Sequence, residues 1–224
     1  MFTGVFLLLV LASSGKEVNM VQQLHWHGHD CFRLDGPPVV YVDPFKLPEG
    51  LPKADLILIT HDHFDHCSPE DVAKIKKAGT IIVGPSSVAK KLSGVQVIAA
   101  GETKTFAGVT VKAVPAYNLQ KQFHPKSYGG LGYVFTVGGF TYYHAGDTDF
   151  IPEMANLAPD VALLPVSGTY VMTAQEAAEA ARSIKPKVAV PMHYGSIVGE
   201  EVDAKKFAKL LEGSSIAVVI KHRE

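Results

Sequence analysis

The residues most able to do chemistry form one short run, Thr60-His61-Asp62-His63-Phe64-Asp65-His66. Three imidazoles and two carboxylates fall within six positions. Imidazole nitrogen and carboxylate oxygen are the donors that zinc-like divalent cations take. A loop lets His61 and His63 converge on one ion while Asp65 and His66 turn toward a second. A polar surface loop with chance histidines is the alternative reading. Against it, the run follows the apolar segment Leu56-Ile57-Leu58-Ile59 directly, where burying such groups without a cation would be costly. Ten histidines in 224 residues, three of them within 25–29 and three within 61–66, sharpen the same signal.

Elements must present that run. The continuous apolar stretch Leu56–Thr60 reads as a strand buried on both faces. Ser68-Pro69-Glu70-Asp71 reads as a capped helix start, with the helix expected to reach about Ala78 and stop at Gly79. The motif therefore lies between a strand's carboxyl end and a helix, where open α/β sheets place their ligand sites. Further strands are expected from Val21 and at Val39–Val42, Ile81–Val83, Val95–Ala99, Thr103–Phe106 and Val109–Val114. Leu131–Val137 and Phe140–His144 flank a Gly138-Gly139 hairpin turn. Val161–Leu164, Val188–Val190 and Ile216–Ile220 complete the strands. Helices are expected near Ser87–Leu92, from the capping box Thr173-Ala174-Gln175-Glu176 to Ile184, and at Val202–Leu211. Residues 115–130 form the longest irregular stretch, a place where function often lies.

The pattern HxHxDH resembles the metallo-β-lactamase superfamily, and the resemblance has further anchors. Asp43, after the strand Val39–Val42, matches the family's early aspartate. Asp147 in Ala145-Gly146-Asp147-Thr148 matches the aspartate that bridges two ions. His193 in Pro191-Met192-His193-Tyr194 matches the late histidine. The chain is most similar to an uncharacterised metal-dependent hydrolase branch close to ascorbate-6-phosphate lactonase and to the phospholipase D that cleaves N-acylphosphatidylethanolamine. Leu24–Phe32, with its glycine–histidine turn, carries part of that likeness. The resemblance implies an α+β fold of four layers, αββα, over a single domain spanning residues 20–224. It implies two divalent ions, zinc first and manganese or iron as alternatives, held by His61, His63, Asp65, His66, Asp147 and His193. One further histidine is usual on the first ion. Where it is looked for, the sequence has Pro115-Ala116-Tyr117-Asn118, so Asn118, His124 and His144 stand as candidates, with His124 placed ahead of His144. Asp65, Asp147 and Asp43 are the expected catalytic carboxylates, Asp43 by orienting a metal-bound histidine.

The expected reaction is hydrolysis by a metal-bound hydroxide, since a bound cation brings the pKa of water from about 15.7 toward about 7. No GxSxG elbow offers a serine nucleophile instead. Lactone, ester, amide and phosphodiester bonds all suit such a site. Lys121 and Lys126 make the long loop mildly basic and suggest a small anionic substrate, with Asn118, Lys126, Tyr194 and His29 as contacts and Thr169 as a weaker one. His25 and His27 read as structural, Cys67 as packed and His222 as solvated.

Composition narrows the other classes. The chain is 47% hydrophobic and 19% charged with a net charge of −1, and it has three arginines. No global field attracts polyanions, so a nucleic-acid partner is not expected and a superfamily nuclease is the alternative enzyme. A redox di-iron site is disfavoured by His63, where a carboxylate would be expected. A non-catalytic metal-binding protein rests on Asn118 alone. Cys31 and Cys67 cannot make a disulfide framework. The apolar run Phe2–Ala12 is too short to span a bilayer. With residues up to 19 it reads as a signal-like segment or an upstream extension ahead of Met20. The cytoplasm is favoured, with export if that segment is a signal peptide, and self-association is left open.

Overall fold

The computed structural model describes residues 8–10 and 15–224. Two β-sheets face each other. The larger takes its strands in the order β1 (Leu8–Val10), β14 (Ala217–Ile220), β13 (Val188–Met192), β12 (Val161–Pro165), β11 (Phe140–His144), β10 (Gly130–Val137), β9 (Val109–Ala116) and β8 (Thr103–Phe106). The smaller runs β2 (Leu24–Gly28), β3 (Cys31–Leu34), β4 (Val40–Val42), β5 (Leu56–Leu58), β6 (Ile81–Gly84) and β7 (Val95–Val97). Helices α2 (Pro69–Ile75) and α3 (Ser86–Lys91) cover the smaller sheet, while α4 (Ala174–Ile184) and α5 (Glu201–Leu210) cover the larger. Helix α1 (Gly15–Gln22) leads into β2. The architecture is the expected α+β sandwich.

Strand periodicity explains the layers. On β4 and β5, Val40, Val42, Leu56 and Leu58 enter the core between the sheets. The intervening Tyr41 and Ile57 enter a second core against α2 and α3, with Val72, Ile75 and Val88. Alternate side chains on a strand point to opposite faces, so a strand apolar throughout must be covered twice. Strands β4, β5 and β6 pair in parallel, as do β11, β12 and β13. Their carboxyl ends therefore release chain at one edge of the sandwich: Asp43 after β4, His61 after β5, Asp147 after β11 and His193 after β13.

Some boundaries differ from expectation. Helix α2 ends at Ile75, and Lys76 leaves it in extended conformation, so Ala78 and Gly79 lie in the following turn. Residues 21 and 22 close α1 instead of opening a strand. Of the segment read as signal-like, Leu8–Val10 pairs antiparallel with β14, and the rest before Gly15 lies outside the described residues. Among the described residues, no helix is long and apolar enough to cross a membrane.

The capping boxes of the outer helices are formed. Thr173 accepts from the Glu176 backbone N–H, and the Glu176 carboxylate accepts from the Thr173 N–H at 2.7 Å. Loss of such a cap costs about 1 kcal/mol. Thr173→Ala should lower the thermal midpoint by a few degrees with metal content unchanged, as measured by melting and elemental analysis.

Candidate metal centre

Asp43 organises the site from below. Its Oδ1 accepts the Thr60 backbone N–H at 2.8 Å. Its Oδ2 accepts the Thr60 hydroxyl at 2.6 Å and the His66 Nδ1–H at 2.8 Å. The Thr60 oxygen, its proton already given to Asp43, is left to accept from His61 Nδ1 at 2.9 Å. Both rings are thereby set with Nδ1 protonated and the Nε2 lone pair free. His61 Nε2 and His66 Nε2 are buried and have no hydrogen-bond partner among the described residues, and the same is true of Asp147 Oδ1. Three orphaned acceptors buried in neighbouring donor groups are what cations would satisfy.

Spacings fit that occupant. Two ligands about 2.1 Å from a tetrahedral ion lie about 3.4 Å apart. Asp147 Oδ1 is 3.4 Å from His66 Nε2, and its Oδ2 is 3.3 Å from His193 Nε2 and 3.5 Å from His124 Nε2. His61 Nε2 stands 4.0 Å from Asp147 Oδ2. His63 Nδ1 and His124 Nε2 are 3.0 Å apart. Donor atoms of His61, His63 and His124 form one compact group, and those of His66, Asp147 and His193, with Asp30, form another. Asp65 borders the second, its Oδ2 lying 3.8 Å from His66 Nε2. Asp147 thus faces both groups, one carboxylate between two sets of imidazoles.

Each remaining ring is steadied by a neighbour. His193 Nδ1 meets Ser167 Oγ at 2.9 Å, and its ring lies against that of His29 with centroids 4.1 Å apart. His29 is fully buried, and its Nε2 is 3.1 Å from Asp65 Oδ2. His124 sits in the 115–130 loop, where the backbone N–H of Asn118 donates to the His124 carbonyl at 2.7 Å. His29, Asp43, His124 and His193 all have φ between 44° and 61°. Such left-handed backbone costs about 1–3 kcal/mol at each non-glycine residue and concentrates at functional sites. Gly146, φ +64°, precedes Asp147 because a Cβ there would come 2.9 Å from the Leu131 carbonyl oxygen.

The electrostatics suit a cation. Burial, and next the charge on His66, hold His61 well below the ordinary imidazole range, so it presents a neutral ring. Burial alone would also lower His66, but Asp147 and the hydrogen bond to Asp43 carry it above that range, so without a cation its Nε2 holds a proton that a metal ion would displace. Burial pushes the Asp65 carboxyl up, yet the hydrogen bond from His29 and the charge of His66 outweigh it and bring it to about 2. Burial raises Asp30 well above the usual carboxylate range. Both Asp30 oxygens are buried and lack a partner among the described residues. Burial thus keeps that carboxyl protonated on its own, and a cation among the neighbouring imidazoles would favour its charged form.

Several residues singled out from the sequence stand elsewhere. His144 turns into the core: its Nε2 donates to the Asp30 carbonyl at 2.9 Å and its Nδ1 accepts from the Gly146 N–H. Asn118 uses its amide to tie two loops, donating to the carbonyls of Phe123 at 2.8 Å and Tyr170 at 2.6 Å. Lys126 pairs with Glu153 at 2.9 Å, and Lys121 pairs with Asp149. Tyr194 is buried against Trp26, ring centroids 4.8 Å apart. His27 is buried near Tyr41, and burial lowers its pKa to about 4. His25 bridges Asp35 and Glu224 at the surface. Burial lifts the Cys67 thiol to about 11, so it remains protonated and packed. The cleft opening onto the cluster is lined by His63, Phe64, Asp65, Phe123, His124, Asp147, Tyr170 and Ile197. Asn118, Lys126, Tyr194 and His29 are not among these, because each is committed to packing or to an ion pair outside the opening. Asp30, Thr60 and Ser167 were not signalled by residue type, although Thr60 directly precedes the motif.

Comparison with known proteins agrees with this geometry. The sequence pattern of the β-lactamase superfamily domain matches residues 23–193. The chain belongs to the metallo-β-lactamase superfamily. A UPF0173 metal-dependent hydrolase of Thermoplasma acidophilum is 39% identical over 218 residues, covering 87% of this chain and 92% of that protein. A crystal structure described as a metal-dependent hydrolase from Parabacteroides distasonis superposes with TM-score 0.82 at 35% identity, covering 90% of this chain and 93% of the other. Another, described as a zinc-dependent hydrolase of this superfamily from Thermotoga maritima, gives 0.58 at 28% identity, covering 85% and 86%.

Two substitutions test the supports of this superfamily site. Asp43→Ala frees the rings of His61 and His66 and should weaken metal binding about 10–100-fold, the usual effect of losing such a partner, in a competition titration with a chelating dye. Asp30→Asn removes, without changing shape, the charge that this carboxyl would take up beside a bound cation. The rise in melting temperature on adding Zn2+ or Mn2+ to chelator-treated protein should shrink, while the melting temperature without metal holds or rises. An unchanged metal-induced rise would show that the Asp30 charge takes no part in metal binding.

Proposed function

We propose that this protein is a hydrolase that works with two divalent cations, held by His61, His63, His124 and Asp147 on one side and by Asp65, His66, His193 and Asp147 on the other. The observation that carries the reading is the set of buried, unpartnered acceptors His61 Nε2, His66 Nε2 and Asp147 Oδ1, brought from two separate chain segments into two adjoining donor groups at metal-ligand spacing. Metal-dependent hydrolases among its relatives, and the Parabacteroides structure, support the same class. Zinc is the expected ion, since three imidazoles suit a borderline cation, with manganese or iron as alternatives for the carboxylate-bearing side.

Divalent cations bound there supply an acidified water and Lewis-acid stabilisation of a developing oxyanion. The chain's own groups do the rest. Asp147, placed between the two histidine groups, fixes their separation. Asp43 and Thr60 keep His61 and His66 in the ligating tautomer. Asp65, 14% exposed at its side chain, is the site carboxylate nearest solvent and can accept a hydrogen bond from the attacking water, passing its proton toward the leaving group. In ester or lactone hydrolysis the water oxygen bonds to the carbonyl carbon. The carbon–oxygen bond to the leaving alkoxide breaks, and that alkoxide takes the proton. A phosphodiester would be attacked at phosphorus with the same bookkeeping of atoms.

His61→Ala removes a ligand from the three-imidazole group. Purified variant protein should lose bound metal by elemental analysis and lose at least about 100-fold in turnover of any ester, lactone, thioester or phosphodiester that the wild type hydrolyses. Undiminished turnover in that variant would refute the assignment.

A further inference from the structure

Seven large hydrophobic side chains are exposed among the described residues, and four of them, Phe64, Phe123, Tyr170 and Ile197, border the cleft over the metal centre. Phe64 is 65% exposed although it interrupts a motif whose other members face inward. The aromatic groups are braced in pairs. Phe45 meets Phe64 edge to face at 5.9 Å, and Tyr170 meets Phe123 at 5.0 Å. The four come from four segments: the HxHxDH loop, the 115–130 loop and the connections after β12 and after β13. Apolar surface gathered at one opening marks a binding site more strongly than the same residues scattered.

Charge is as informative as shape. No lysine or arginine is among the residues lining the cleft. Lys121 and Lys126 are turned away into pairs with Asp149 and Glu153, and Lys46 lies over the Phe45 ring. The cavity is about 320 Å3, near the lower limit for small-ligand sites. Besides the histidines of the metal centre, no side chain lining it carries a positive charge to meet a distant anionic group on the substrate.

We propose that the cleft selects a small substrate carrying an uncharged aromatic or branched aliphatic group beside the bond that is cut, in place of the anionic one that the loop lysines suggest. The proposal rests on the hydrolytic reading of the metal centre for the bond, and on Phe64, Phe123, Tyr170 and Ile197 for the group. The apolar group packs between the Phe64 side and the Phe123–Tyr170 side, and the reactive carbonyl or phosphoryl then points at Asp147. The occupant is a substrate group because the cavity is continuous with His63, His124 and Asp147 and is too small for a protein segment's worth of side chains.

Binding is measured directly, without turnover. The full chain, loaded with Zn2+, is titrated with 4-fluorophenylacetamide and followed by 19F NMR, with succinate as an anionic, non-aromatic competitor. Saturable binding is expected in the wild type, weakened at least threefold in Phe64→Ala and at least tenfold in Phe64→Ala with Phe123→Ala. Ile197→Glu, which brings a charge to the rim, should weaken it similarly. Metal content and melting temperature verify that each variant is intact. Absence of saturable binding, equal binding in the double variant, or displacement by lower concentrations of succinate than of unlabelled phenylacetamide would overturn the proposal. So would a dimeric wild type that Phe64→Ala makes monomeric, since a second copy would then cover the cleft. Probe binding without turnover of any ester, lactone, thioester or phosphodiester would sink only the hydrolytic reading. Turnover of acetate esters without probe binding would sink only the cleft.

Discussion

One buried carboxylate, Asp43, decides whether the site can exist. It receives three hydrogen bonds, two from Thr60 and one from His66. Through the Thr60 hydroxyl it also governs His61. A histidine rotated or protonated the wrong way offers a metal no lone pair, so this short chain of bonds sets the donor atoms of both metal groups at once. It is possible because β4 and β5 are parallel neighbours, with Val42 paired to Leu58. Their carboxyl ends deliver Asp43 and Thr60 side by side. Were the strands antiparallel, the two residues would leave the sheet at opposite edges. The site is thus a consequence of topology as much as of residue type.

That arrangement would be unfavourable on its own. Asp30, Asp43, His61, His66, Asp147 and His193 are all nearly inaccessible to solvent. Removing a charged group from water costs several kcal/mol even after relaxation, and partial pairing rarely recovers it. Four site residues also hold left-handed backbone. The two sheets supply the compensation. Their apolar faces bury long runs of valine, leucine, isoleucine and tyrosine, and the strain is confined to the loops they release at one edge. Divalent cations fit as the other part of the compensation, because the negative carboxylates and free imidazole lone pairs are complementary to positive charge and to little else.

Much of this was legible in the amino-acid sequence, for physical reasons that differ by feature. The apolar run ending at Thr60 and the donors that follow could be read because each rests on local pattern. The capping box at Thr173 was likewise local, and so was the Ser68 cap of α2. Lys121 and Lys126 misled because a charge in a loop does not reveal its partner. Asp149 and Glu153, which neutralise them, lie 27 or 28 residues away. Asn118 and Tyr194 were poorly placed for the same reason: their hydrogen bonds and ring contacts are made across the fold. His124 and His144 could not be separated by type. The hairpin between β10 and β11 turns His144 into the core, while the loop before it brings His124 to the cleft. The early end of α2 was missed because Lys76, Lys77 and Ala78 are all good helix formers. The Ile75 carbonyl is instead used by the Ala54 N–H, a tertiary contact that propensity does not see.

The metal centre and the cleft obey opposite rules, and that contrast explains which property the superfamily fold holds fixed. Asp43, His61, Asp147 and His193 follow the ends of strands, buried, and Asp43 ties His61 and His66 by hydrogen bonds whose loss would disorder both together. Phe64, Phe123, Tyr170 and Ile197 are exposed and come from loops. Changing a donor alters a network anchored in both sheets; changing a rim residue alters one wall of an opening. On the proposed reading, the sandwich edge would set the chemistry, and exposed loop side chains would set the choice of substrate. An apolar rim beside a cluster of donors suited to cations also makes sense in solvation terms. Once an uncharged group fills the cleft, it excludes water from the ions, and every charge–charge interaction in the cluster becomes stronger.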